Sequence, residues 1–135
     1  MLLAIDIGNS MVTMGVFDGE RLETTLRVAT DTRKLADEYG LPIVMHMVRA
    51  RALADESNQR FIREYCTRYP NMKMVLAHCA RGFNPSHTMG GIDAIAGLDN
   101  VYFDNSCNCE EGGHIAILRR FGPKKLMWGS DYPFS

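Results

Sequence analysis

Lys73-Met74-Val75-Leu76-Ala77-His78 is a short apolar run that ends in an imidazole. Three other runs have the same form: Pro42-Ile43-Val44-Met45-His46, Asn100-Val101-Tyr102-Phe103-Asp104-Asn105 and Lys125-Leu126-Met127-Trp128-Gly129-Ser130-Asp131. All are nearly unbroken by charge, which is the signature of strands buried on both faces in a parallel sheet. Every run also finishes in a group that binds a metal or moves a proton. In parallel β/α layers the C-terminal strand ends open onto one face, and sites form there. His46, His78, Asp104 or Asn105, and Asp131 are therefore expected to converge, although they lie far apart in the chain.

Working outward, the segments between these runs read as helices. Residues 57–69 place Phe61, Ile62, Tyr65, Cys66 and Tyr69 on one helical face, and Pro70-Asn71 stops the helix. After His78, a loop with Gly82, Asn84 and Pro85 leads to a short helix near residues 91–96. Residues 110–121 read as a helix with Ile115, Leu118 and Phe121 inward, stopped by Gly122-Pro123. The order β-α-β-α-β-α-β with short connections gives a four-stranded parallel sheet.

Upstream the character changes. Leu2 to Ile7, Val12 to Phe17 and Arg21 to Ala29 read as strands, and Asp18-Gly19 is a tight hairpin signal. Asp31 or Thr32 caps a helix that ends at Gly40. The expected fold class is α/β: a short antiparallel β-meander, then a half-barrel-like layer of four βα strands. The expected domains are residues 1–40 and 41–135.

The chain has 135 residues, too few for a whole eight-stranded β/α barrel of roughly 250 residues. Its 15 basic and 16 acidic residues leave a net charge of −1, which argues against a nucleic-acid or polybasic membrane surface. No apolar run approaches the roughly 20 residues of a membrane span. The N-terminus begins with a strand-like run that carries Asp6 and has no basic region ahead of it, unlike a signal peptide, so a cytoplasmic protein with free thiols is expected. Cys107-Asn108-Cys109 is an isolated pair without a second pair at zinc-site spacing.

Residues 41–135 resemble the second half of a metal-dependent amidohydrolase barrel, strands five to eight. The residues that carry the resemblance are Ile43-Val44-Met45-His46, Val75-Leu76-Ala77-His78 and Trp128-Gly129-Ser130-Asp131-Tyr132-Pro133. It implies that His46 is a metal ligand, that His78 is a ligand or a catalytic acid–base group, and that Asp131 binds the metal and its water. The implied metal site is His46, His78 and Asp131, with Zn²⁺ or Mn²⁺ as cofactor. The implied catalytic residues are His78 and Asp131, acting on a small-molecule substrate. Residues 1–40 resemble the start of a type III pantothenate kinase, on Ile5-Asp6-Ile7-Gly8-Asn9-Ser10, Gly15-Val16-Phe17-Asp18-Gly19 and Ala36-Asp37-Glu38-Tyr39-Gly40. That resemblance implies an alternative site for ATP and Mg²⁺ at Asp6, Gly8, Asn9 and Ser10. The two resemblances meet at residues 35–42, so the chain reads as a chimera.

The chemistry sets further expectations. A hydrolytic metal site needs neutral imidazoles, a carboxylate and a position open to water. The amidohydrolase pattern also has a His-x-His pair on its first strand, and His87 and His114 do not form one. A metal-dependent hydrolase or decarboxylase with weak or no turnover is the leading reading. An ATP-binding remnant and a non-catalytic chimera are the others. Arg49, Arg51 and Arg81 are candidates to meet a carboxylate, although solvated loop charges are their simpler role. Ile43, Met45, Val75, Ala77, Val101, Phe103, Leu126 and Trp128 are expected on one inner face that short helices cannot cover. With two open sheet edges, that face predicts a homo-oligomer that shields Trp128.

Overall fold

The computed structural model describes residues 2–7, 11–29, 31–47, 51–81, 84–107 and 110–131. The chain divides into two compact units, residues 1–35 and 36–135. The first is a three-stranded antiparallel sheet in the order β1-β2-β3, with β1 at Leu2–Ile7, β2 at Met11–Asp18 and β3 at Arg21–Ala29. Asp18 pairs with Arg21, so the hairpin loop is Gly19-Glu20, and Gly19 takes the left-handed conformation at φ 61°. A side chain is strained there, and glycine is not.

The division between the units falls inside α1 (Thr32–Glu38). Asp31 caps this helix, its Oδ1 accepting the N–H groups of Arg33 and Lys34, each at 3.2 Å. At the other end Gly40 turns at φ 62° and the Leu41 N–H donates to the Ala36 carbonyl at 2.8 Å. That geometry satisfies an orphan carbonyl and stops the helix.

The second unit then alternates strands and helices. β4 (Pro42–Met45), α2 (Glu56–Arg68) and β5 (Lys73–Leu76) come first. One turn follows directly, α3 (Ala77–Arg81), then α4 (Pro85–Met89), β6 (Val101–Asp104), α5 (Glu111–Phe121) and β7 (Leu126–Met127). The four strands are parallel, in the order β4-β5-β6-β7. This is the expected α/β class, a parallel β/α layer preceded by an antiparallel meander. Among the described residues no helix is long and apolar enough to cross a membrane.

The core lies between this sheet and its helices. α2 starts at Asp55, whose Oδ1 accepts the Ser57 N–H at 2.9 Å, and it buries Ile62 and Cys66. Phe61, Tyr65 and Tyr69 flank them against the core, as the helical pattern predicts. Phe103 and Phe121 meet edge to face with ring centres 5.1 Å apart. Fully burying a side chain such as Phe103, Leu76 or Ile62 is worth about 1.5–3 kcal/mol each.

Four expectations are corrected. The eight residues assigned to one inner face divide between both faces. Register pairs Ile43 with Met74, and Met74 with Val101; it also pairs Met45 with Leu76, Leu76 with Phe103, and Phe103 with Leu126. That set belongs to the helix-side core, whereas Val44, Val75, Tyr102 and Asp104 share the opposite face. When both faces of a strand are apolar, the sequence does not reveal which parity faces the helices. Trp128 is 81% exposed in the single chain.

The inward face of α5 is also rotated. Gly113 and Ile117 are buried, while Ile115 and Leu118 are exposed. The close approach of α4 decides this: a Cβ on Gly112 would lie 2.8 Å from Pro85 Cβ. Third, the segment after His78 is not a plain loop, because α3 follows the strand without a break and α4 already begins at Pro85. Asn84 caps α4, accepting the Ser86 N–H at 3.1 Å. Fourth, the short helix expected near 91–96 is a single 3₁₀ turn, Ile92–Ile95.

Candidate functional site

The C-terminal ends of β4, β5 and β6 open onto a cleft of about 420 Å³. His46 and His78 line it together with Asp131, Asp104 and Ser106, and Val44 and Ala77 form its apolar wall. Sequence spacing predicted this gathering for His46, His78, Asp104 and Asp131. Asn105, the other candidate at the end of β6, works elsewhere: its Oδ1 accepts the Gly129 N–H at 3.0 Å and holds the segment after β7.

His78 is placed by an unusual backbone. Ala77–Arg81 winds in the left-handed sense, with φ of 57°, 52° and 60° at His78, Cys79 and Ala80. An L residue there costs roughly 1–2 kcal/mol, so the three together cost on the order of 3–6 kcal/mol. Specific contacts offset this. Cys79 and Ala80 are fully buried, the Thr88 hydroxyl donates to the Cys79 carbonyl at 2.7 Å, and the His78 N–H donates to Asp104 Oδ1 at 3.0 Å.

Asp104 Oδ1 is the hub of this end of the sheet. Besides the His78 N–H it accepts the Ser106 N–H at 3.0 Å and the Ser106 hydroxyl. His78 Nδ1 in turn lies 2.8 Å from the Ser106 carbonyl oxygen and 3.0 Å from Ser106 Oγ. A carbonyl only accepts, so Nδ1 carries the hydrogen. The Ser106 hydroxyl hydrogen is already directed at Asp104, so Oγ meets Nδ1 as an acceptor. Neutral His78 is therefore the Nδ1–H tautomer, with its lone pair on Nε2. Ser106 was not singled out from sequence. Its available signal was the Asp104-x-Ser106 spacing, since aspartate readily bonds backbone N–H groups two residues on.

The donors fit a divalent metal in part. Two imidazoles on one tetrahedral Zn²⁺, bound at about 2.0–2.1 Å, would have ring centres roughly 5 Å apart. The His46 and His78 rings are 4.9 Å apart and perpendicular. The Nδ1–H bond of His78 to a backbone carbonyl is the outer partner that metal-binding histidines ordinarily have. Asp131 lines the same cleft, at φ 57°. Among the described residues, however, no group of three or more His, Cys, Asp or Glu is arranged to hold a metal ion. Among the described residues the two imidazoles are thus gathered as a pair, and Asp131 shares their cleft without being arranged as a third ligand.

Gly8, Asn9 and Ser10 of the phosphate-loop reading lie outside the described residues, and Asp6 is on β1. Arg49, Asn108, Cys109, Tyr132 and Pro133 also lie outside them. Arg51 is exposed ahead of the 3₁₀ turn Ala52–Ala54 and does not line the cleft. Cys66 is buried in α2, and burial pushes its thiol up from 9.0 to about 11.

Comparisons with known proteins agree with both resemblances. The type III pantothenate kinase of Agathobacter rectalis is 35% identical over 72 residues, which is 53% of this chain and 26% of that protein. The Moorella thermoacetica enzyme is 56% identical over 41 residues, 30% of this chain and 16% of that protein. The chain thus spans about a quarter or less of these curated relatives. Among solved structures, an amidohydrolase from Burkholderia multivorans with bound HEPES superposes with a TM-score of 0.54 at 17% identity. The match covers 76% of this chain and 42% of that one. A 2,6-dihydroxybenzoate decarboxylase in complex with 2,6-dihydroxybenzoate gives 0.53 at 14% identity, covering 76% and 44%. At such identities these two likenesses concern the fold. The sequence profile of the amidohydrolase family matches residues 11–135. With that match running over nearly its whole length, the chain belongs to the amidohydrolase family.

Proposed function

We propose that the chain is a metal-dependent hydrolase or decarboxylase of the amidohydrolase type with weak or no turnover, acting on a small molecule. The observation that carries this reading is the pair His46 and His78, face to edge at 4.9 Å in the cleft that Asp131 also lines. His46, His78 and Asp131 are the proposed ligands of Zn²⁺ or Mn²⁺, and His78 and Asp131 are the proposed catalytic groups. A bound divalent ion would supply Lewis acidity and lower the pKa of a water. His46 would bind through a neutral imidazole, and His78 would present Nε2, because Nδ1 is occupied by Ser106. Asp131 would add the negative charge and accept a proton from water. The decarboxylase reading draws on the second structural relative, whose bound ligand is an aromatic carboxylate. The expectation of weak or no turnover is supported by the third ligand position, which the described side chains leave incomplete.

The test is a thermal melt with Zn²⁺ or Mn²⁺ titrated into the metal-free chain. A ligand at 100 times its Kd stabilises by about 2.7 kcal/mol, on the order of 10 °C for a chain of this size. His46→Ala should abolish most of that shift. An unchanged melting temperature at saturating metal would overturn the reading. A second reading, an ATP and Mg²⁺ site at Asp6, Gly8, Asn9 and Ser10, draws on the 56% identity to a pantothenate kinase. It requires ATP to raise the melting temperature in the presence of Mg²⁺.

The same proposal includes a cytoplasmic homo-oligomer that binds neither nucleic acid nor membrane. β4 and β7 are both sheet edges, and Val44 and Trp128 are 65% and 81% exposed beside the cleft's strands. Open edges with apolar surface favour association. A reducing compartment would keep the thiol of buried Cys66 unoxidised. Light scattering that reports a monomer at high concentration would overturn the oligomer.

A further inference from the structure

We propose that Asp104 is a positioning residue for His78, which holds the ring in the Nδ1–H tautomer by fixing the turn that carries the Ser106 carbonyl. One oxygen, Asp104 Oδ1, takes three hydrogens: the His78 N–H at 3.0 Å, the Ser106 N–H at 3.0 Å and the Ser106 hydroxyl. The first bond fixes the backbone of His78. The second and third fix Ser106, whose carbonyl then stands 2.8 Å from Nδ1. Backbone and ring of the same residue are therefore held from one carboxylate, 26 residues away in sequence. Charge-assisted bonds of this kind are roughly twice as strong as neutral ones.

The consequence is directional. A histidine side chain free in water favours the Nε2–H form. His78 is 8% exposed and is held in the opposite form, so Nε2 carries the electron pair. A group placed in the cleft then meets a base or a ligand atom instead of a donor. This inference deepens the hydrolase reading, in which His78 is a ligand or an acid–base group. The tautomer itself depends on neither metal nor turnover.

The experiment is ¹⁵N–¹H correlation of the histidine rings in the full chain, labelled with ¹⁵N-histidine, metal-free and held where His78 is neutral. The wild type should show His78 with the hydrogen on Nδ1. Asp104→Ala should move the ring toward the mixture of a free histidine. Should that variant not fold, Asp104→Asn serves: three donors on one neutral amide oxygen are held less firmly, so the Nδ1–H fraction should fall. Ser106→Ala removes the hydroxyl and keeps the carbonyl, so it should retain the wild-type tautomer. A wild-type His78 in the Nε2–H form would overturn the proposal. So would a folded Asp104 variant with an unchanged tautomer, or a Ser106→Ala variant with an inverted one. A failed metal titration beside the expected tautomer would count against the hydrolase reading alone.

Discussion

Asn100→Ala should destabilise the second unit by about 2–3 kcal/mol, far more than an ordinary polar substitution at a partly exposed site. The Asn100 side-chain NH₂ donates to the carbonyls of Cys66 at 3.0 Å, Tyr69 at 2.9 Å and Met72 at 3.0 Å. Two hydrogens thus serve three acceptors. Cys66 and Tyr69 sit at the C-terminal end of α2, where helix carbonyls lack internal partners. Met72 leads into β5, the strand that delivers His78. A hydrogen bond nets about 1 kcal/mol, and a buried group left unsatisfied costs about 1–3 kcal/mol. Two lost bonds account for about 2 kcal/mol, and because the site is partly exposed the freed carbonyls regain water, which leaves at most the low end of the unsatisfied cost, about 1 kcal/mol, to add.

Urea melts followed by far-UV circular dichroism measure it. With a slope of about 1–3 kcal/mol per molar urea, the midpoint should fall by on the order of 1 M. Asn100→Asp is the discriminating control. It matches asparagine in shape but turns a carboxylate toward three carbonyl oxygens, so it should destabilise more than alanine does. The Met74 N–H bond to the Asn100 carbonyl, at 2.8 Å, uses backbone and survives in both variants. A loss below about 0.5 kcal/mol for Asn100→Ala, or an Asp variant as stable as the wild type, would refute the reasoning.

Two other outcomes are expected. Thr88→Val keeps the shape but removes the hydroxyl that donates to the Cys79 carbonyl, so it should cost about 1–3 kcal/mol in the same melts. The Cys66 thiol is raised by burial from 9.0 to about 11, so the folded chain holds that proton more tightly than the unfolded one. Stability from this group is fully present below about pH 9 and is lost as pH rises toward about 11. Cys66→Ala should flatten that alkaline limb of the stability profile, and an unaltered limb would assign it to other groups.

The strands and the gathering of their C-terminal side chains were legible for one reason. Apolar runs that end in His46, His78, Asp104 and Asp131 need no tertiary information to be read as buried parallel strands whose C-terminal ends bring polar side chains together. Facing was not legible. In Ile43-Val44-Met45 and Met74-Val75-Leu76 every residue is apolar, so alternation carries no signal, and the parity is set by which side the helices cover. For α5 the pattern was ambiguous in a similar way. Ile115, Ile117, Leu118 and Phe121 offer more than one apolar stripe, and the approach of Pro85 to Gly112 selects the one through Gly113 and Ile117.

The left-handed turn at His78 was illegible for a deeper reason. Ala77-His78-Cys79-Ala80-Arg81 contains no glycine or asparagine, the residues that ordinarily admit this conformation. Local propensity therefore favours a right-handed helix or an irregular loop. What decides the outcome is distant: Asp104 binds the His78 N–H, Thr88 binds the Cys79 carbonyl, and Cys79 and Ala80 fit a closed core. An alternative path would have to give up both hydrogen bonds and expose two buried side chains. Backbone strain of this kind persists only where the surroundings over-determine it, and it gathers at functional sites. In this chain it falls on the residue that brings an imidazole into the cleft. The feature that local sequence could least predict is thus the one that aims the candidate catalytic group.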